Sequence, residues 1–104
     1  MTPEQIQELK AKHPDADLHL LSHDGVEMVF RRPTKDAYRA FKKKTLKEET
    51  KLDAAEVLVY ACLVSPDASA AGPIFARQFG LMDTFCSKLI DLAGAAKDCE
   101  AVPL

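Results

Sequence analysis

Phe30-Arg31-Arg32-Pro33-Thr34-Lys35-Asp36-Ala37-Tyr38-Arg39-Ala40-Phe41, then a lysine run, then Glu56-Val57-Leu58-Val59-Tyr60-Ala61-Cys62-Leu63-Val64-Ser65-Pro66, sets the order of elements in this chain. Thr34 suits a helix N-cap, because a β-region residue with a short hydroxyl can accept from a free first-turn amide. The helix it opens carries Tyr38, Phe41 and Thr45 on one side and the lysines on the other. Asp53-Ala54-Ala55-Glu56 resembles a capping-box start for the next helix. From Val57 to Val64 that segment is apolar throughout, which predicts burial nearly all round. A short apolar run also fits a strand. The cap and the alanines favour a helix of about three turns.

Upstream, Thr2, Pro3 and Gln5 predict a capped helix start. Ile6 and Leu9 form its apolar stripe, and it ends before Pro14. Asp24-Gly25 lies between the apolar runs Leu18–Leu21 and Val26–Phe30. That pair predicts a hairpin, since a type I′ turn needs positive φ at both central residues. Leu18 and Leu20 share a face, as do Val26, Met28 and Phe30. A lone hairpin is marginal in water, so it must lie on helices or gain a strand from another chain. Downstream, Ser65-Pro66-Asp67 ends the apolar segment, and Ala68 to Gly72 reads as a loop. Pro73 opens a short helix with Ile74, Phe75 and Phe79 inward, broken at Gly80. Met82, Phe85, Leu89, Ile90 and Ala93 recur at helical spacing in the last helix, which Gly94 terminates.

The expectation is a single α+β domain over 1–104. An N-terminal helix and a hairpin (about 17–31) precede a mainly helical bundle (about 34–94), with a frayed tail at 95–104. A chain of 104 residues buries roughly 60–65% of its unfolded surface, enough for one modest core. Charged residues at 29% and apolar residues at 47% argue against disorder. No apolar run approaches the ~20 residues of a membrane span. The polar start, Met1-Thr2-Pro3-Glu4-Gln5, does not resemble a signal peptide, and three widely spaced cysteines fit a reducing compartment. The expectation is therefore a cytoplasmic protein.

The net charge of −2 conceals a basic block: Arg31, Arg32, Lys35, Arg39, Lys42, Lys43, Lys44 and Lys47. A local block without a global excess points to an acidic protein partner ahead of nucleic acid. Tyr38 and Phe41 within it have core spacing, and no nucleic-acid motif accompanies them.

Chemistry-bearing residues do not converge in the sequence. His19 and His23 would bind a metal together on a helix, but they fall on a strand and turn and read as surface histidines. Cys62 and Cys86 lie in apolar stripes and read as small core residues. Glu48, Glu49, Asp53 and Glu56 flank a helix start, where the dipole favours negative charge. The dispersed glycines form no phosphate-cradling loop. No catalytic residue, metal or cofactor is expected.

The order of signals resembles the tail assembly chaperones of long-tailed bacteriophages and phage-derived elements. The resemblance rests on the step from Phe30 to Pro33, the pair Tyr38 and Phe41, the run Cys62 to Pro66, the step Pro73 to Phe75, and Ala93-Gly94. It covers roughly residues 17–94. It implies a non-catalytic protein of the host cytoplasm. Such a protein binds the helical tape-measure protein, helps recruit tail-tube subunits and is absent from the finished particle. A longer frameshifted form exists in many such systems. A chaperone of this kind needs an apolar groove with a charged rim. Phe75, Phe79, Met82 and Phe85 are candidates to line it, and Arg39, Lys42, Lys43 and Lys47 are candidates to attract a partner, with self-association as a further possibility. The other reading is a general interaction adaptor or regulatory module that uses the basic helix.

Overall fold

A computed structural model describes residues 1–94 and 101–103. Among the described residues, five α-helices and a three-stranded antiparallel sheet make an α+β fold. Most of the frayed tail expected at 95–104 lies outside the described residues.

Helix α1 (Pro3–Lys12) begins with the capping box the sequence predicts. The Gln5 amide donates to Thr2 Oγ1 at 3.2 Å, and the Thr2 amide donates to Gln5 Oε1 at 2.9 Å. No α1 residue is fully buried. Its half-buried Ile6 and Leu9 face Leu18, Leu20 and Val29 of the sheet across a small gap of about 40 Å³.

Strands β1 (Leu18–His23) and β2 (Val26–Arg31) form the hairpin. Asp24 at φ 51° and Gly25 at φ 83° give the left-handed pair that a type I′ turn demands. The register runs from Leu18 opposite Arg31 to His23 opposite Val26. Alternation places Leu18, Leu20 and Val29 toward α1, and Leu21, Met28 and Phe30 toward the other helices. The third strand comes from the same chain. Strand β3 (Leu63–Ser65) pairs antiparallel with β2, with a register shift between Val29 and Phe30.

That strand corrects the reading of Val57–Val64 as one helix. Helix α3 (Ala54–Cys62) stops at Leu63, whose backbone is extended at φ −66°, ψ 126°. Both readings of the ambiguous run hold, each for part of it. The start of α3 also differs. A single 3-10 turn (Lys51–Asp53) leads straight into the helix, leaving Asp53 in helical geometry with no side-chain cap bond.

Helix α2 (Lys35–Thr45) is capped as expected, the Ala37 amide donating to Thr34 Oγ1 at 3.1 Å. The loop expected at 68–72 is instead the first half of α4 (Ala68–Arg77). Asp67 caps it, accepting from the Ala70 amide at 2.9 Å, and alanines are the best helix formers. Pro73 therefore lies inside the helix and does not open it. Helix α5 (Gly80–Leu92) begins at the glycine expected to be a breaker. Gly94, at φ 95°, ends it as predicted.

Helix α3 packs between α2 and α5, and the inner face of the sheet closes the core. Phe30, Phe85, Met28, Leu58, Leu89, Val59 and Cys62 are fully buried. Phe85 joins the layers, meeting Phe30 edge-on at 5.4 Å and Phe75 at 6.3 Å between ring centroids. No polar or charged side chain is buried among the described residues. The core is thus held by apolar burial, at about 1.5–3 kcal/mol for each large side chain.

Candidate functional site

An open groove of about 420 Å³ runs between the 3-10 turn, α3, α4 and the start of α5. Phe75 and Met82 form its floor and are nearly buried. Tyr60 braces the floor, its ring meeting Phe75 edge-on at 5.9 Å. Phe79 and Leu52 stand at the edges, 84% and 93% exposed. Glu56 and Asp83 add negative charge to the lining.

The exposure of Phe79 corrects its expected inward position. Spacing from Phe75 would keep it on the same face if α4 continued. The helix ends at Gln78, whose φ −120° and ψ 72° turn the chain out of helical geometry. Phe79 sits at the junction, immediately before α5. Phe75, Phe79 and Met82 meet at the groove, but Phe75 and Met82, like Phe85, belong to the buried core and only Phe79 stands at the surface. Leu52, Ala55, Tyr60 and Ala76 were not singled out from the sequence. Leu52 did carry a signal: it is a lone apolar residue between Lys51 and Asp53.

The basic block divides into two groups. Arg32 is structural, its Nε donating to the Leu92 carbonyl at 2.7 Å and tying the end of α5 to the strand-to-helix link. Arg31 is half-buried and lies close enough to Cys62 to favour its thiolate. Arg39, Lys42, Lys43 and Lys47 are exposed, and among the described residues none is ion-paired with a carboxylate. Lys42 Nζ lies 5.8 Å from the centre of the Tyr38 ring. Lys43, Lys44, Lys47 and Thr50 surround Leu46, which is 83% exposed, in a shallow depression of about 270 Å³. The basic face thus has an apolar point of its own.

The remaining chemistry-bearing residues stay apart. His19 and His23 are four apart on an extended strand, about 13 Å at ~3.3 Å per residue, too far to share one ion. His19 Nε2 lies 3.3 Å from Asp17 Oδ1. No metal-holding group of three His, Cys, Asp or Glu occurs among the described residues. Burial pushes the Cys62 thiol up to about 11, against the opposing pull of Arg31 and with a small upward contribution from Cys86. Burial and then Asp83 raise Cys86. Both are protonated at neutral pH and shielded from attack. No described helix is long and apolar enough to cross a membrane.

No family model matches the chain, and no curated protein matches it. Among solved structures, it is similar to an uncharacterised protein from Bacillus stearothermophilus. The TM-score is 0.75 at 20% identity, over 93% of this chain and 99% of the other. The likeness is one of fold.

Proposed function

We propose that this protein is a non-catalytic tail assembly chaperone of the host cytoplasm. It binds the apolar stripe of a helical tape-measure protein and helps recruit tail-tube subunits. The observation that carries this reading is the groove between α3, α4 and α5, with two large apolar side chains, Phe79 and Leu52, standing almost free beside a nearly buried floor. An amphipathic helix binds such a groove by inserting residues spaced at i, i+3, i+4 and i+7. The unpaired Arg39, Lys42, Lys43 and Lys47 supply long-range attraction for acidic residues on the partner. Co-expression with its cognate tape-measure protein tests the reading. The expected result is a soluble complex that survives moderate salt. A tape-measure protein that stays insoluble and is not captured overturns it.

The exposed Leu46 among lysines favours a second reading, an adaptor that docks an acidic partner on α2. Leu46→Asp abolishes binding under that reading and leaves tape-measure capture intact under the first.

A further inference from the structure

The two edges of the sheet differ. Strand β3 is only three residues long and is followed by Pro66, which has no amide to offer. Shortness and proline are common means of blunting an edge. Strand β1 is six residues long, Leu-His-Leu-Leu-Ser-His, with no proline, lysine or acidic residue inside it. Its pairing with β2 contains no bulge.

Register shows which backbone groups this edge leaves free. The Arg32 amide donates to the Asp17 carbonyl at 2.8 Å, which makes these opposed residues a hydrogen-bonded pair. Bonded and non-bonded pairs alternate along an antiparallel ladder. His19, Leu21 and His23 therefore bond to β2, while Leu18, Leu20 and Ser22 point their N–H and C=O groups outward. No backbone or side-chain bond among the described residues takes up these outward groups.

We propose that the β1 edge binds the β1 edge of a second copy of this chain, joining two sheets into one across a twofold axis at Leu20. An antiparallel register centred there opposes Leu20 with Leu20 of the second copy, and Leu18 with Ser22 of the second copy. Every outward donor and acceptor on both strands then has a partner. Leu20, at 43% exposure, gains an apolar neighbour directly opposite. An open groove of about 370 Å³ lies beside the edge, between β1 and α5, and carries one cation and one anion, Lys88 and Asp91. A second copy brings its own Lys88 and Asp91 to the same face of the joined sheet. Such an interface is isologous and closes at two subunits.

Sedimentation equilibrium at about 100 µM, with amide exchange read residue by residue, tests this. The expected wild-type protein is a dimer whose Leu18, Leu20 and Ser22 amides exchange more slowly as concentration rises. Leu20→Lys puts like charges opposite each other at the axis and weakens association at least ~10-fold. Its circular dichroism at low concentration remains that of wild type, and its melting temperature falls only by the loss of the Leu20 contact with α1. Leu20→Pro removes the outward amide, together with the leucine side chain that faces α1, and acts as the second variant. A wild-type monomer overturns the proposal. So does a dimer whose three edge amides stay unprotected, or one that both variants leave intact. Edge protection that appears only when a different protein is added also overturns it.

Discussion

Aspartate substitutions at Phe79 and Met82 have opposite expected effects, although the residues are three apart in sequence. Phe79 is 84% exposed. With about 200 Å² for a phenylalanine, folding hides only about 30 Å² of it, worth about 0.8 kcal/mol. Phe79→Asp therefore leaves the fold in place, with a loss below about 1 kcal/mol. Met82 is 9% exposed, at the groove floor. Met82→Asp buries an unpaired carboxylate, at a cost of about 3–5 kcal/mol, a large part of the 5–15 kcal/mol expected for a whole domain. Binding reverses the ranking. Covering Phe79 with a partner helix hides up to about 170 Å², a ceiling of about 4 kcal/mol before the costs of association. An anchor loss of about 2 kcal/mol is a ~30-fold weaker Kd. Urea melts followed by circular dichroism, beside titration calorimetry with the tape-measure protein, read both quantities. A Phe79→Asp protein that loses more than about 2 kcal/mol of stability refutes the assignment of Phe79 to the surface. One that folds and binds as wild type refutes the groove as the binding site.

Reversing Arg39, Lys42, Lys43 and Lys47 to glutamate slows association and flattens its salt dependence, measured by stopped flow, with the circular dichroism spectrum unchanged. The Lys42 contact with Tyr38 adds a stability loss of at most about 1 kcal/mol. The Cys62 thiol is held up to about 11 from an ordinary value of 9.0, so the folded state binds its proton more tightly than the unfolded state. Its contribution is whole below pH about 9 and is lost as pH rises toward about 11, a decline in melting temperature that Cys62→Ala flattens. Arg32→Ala frees the Leu92 carbonyl and costs about 1 kcal/mol in denaturant melts, with faster exchange of the last amides of α5.

The hairpin was legible because Asp24-Gly25 satisfies a backbone requirement that few residue pairs meet. Thr2 and Thr34 were legible for a similar local reason, a hydroxyl three residues before a free amide. Asp53 has the same chemistry and failed, since the preceding 3-10 turn holds it in helical geometry, away from a capping role. A proline suggests a helix start more strongly than a run of alanines does. In the fold the Asp67 cap and Ala68–Ala71 prevail, and the helix runs on through the proline. Three groove residues were legible from apolar spacing, but spacing could not tell wall from core. Phe75, Phe79 and Phe85 look alike in a periodic pattern. Only the end of α4 at Gln78 separates an exposed ring from two buried ones. Leu52 stands out as a lone apolar residue in a polar stretch, but no local pattern announced the turn that carries it to the groove. The third strand was hidden for a different reason. Its pairing depends on β2, more than thirty residues earlier, and not on its own composition.

Helix α1 contributes no buried residue and rests on the sheet through two half-buried side chains. Its capping box and internal bonds stabilise it locally, yet it is isolated energetically from the core that Phe30, Leu58 and Phe85 share. An isolated helix of ten residues is marginal in water, so release from the sheet and melting are one event. The molecule therefore has a stability ladder with a low first rung. Opening that rung leaves the inner core intact and lays bare Leu18, Leu20 and Val29, a latent apolar strip on the opposite side of the sheet from the helical bundle. A protease attacking the native protein meets residues 3–13 long before it meets anything else that is folded.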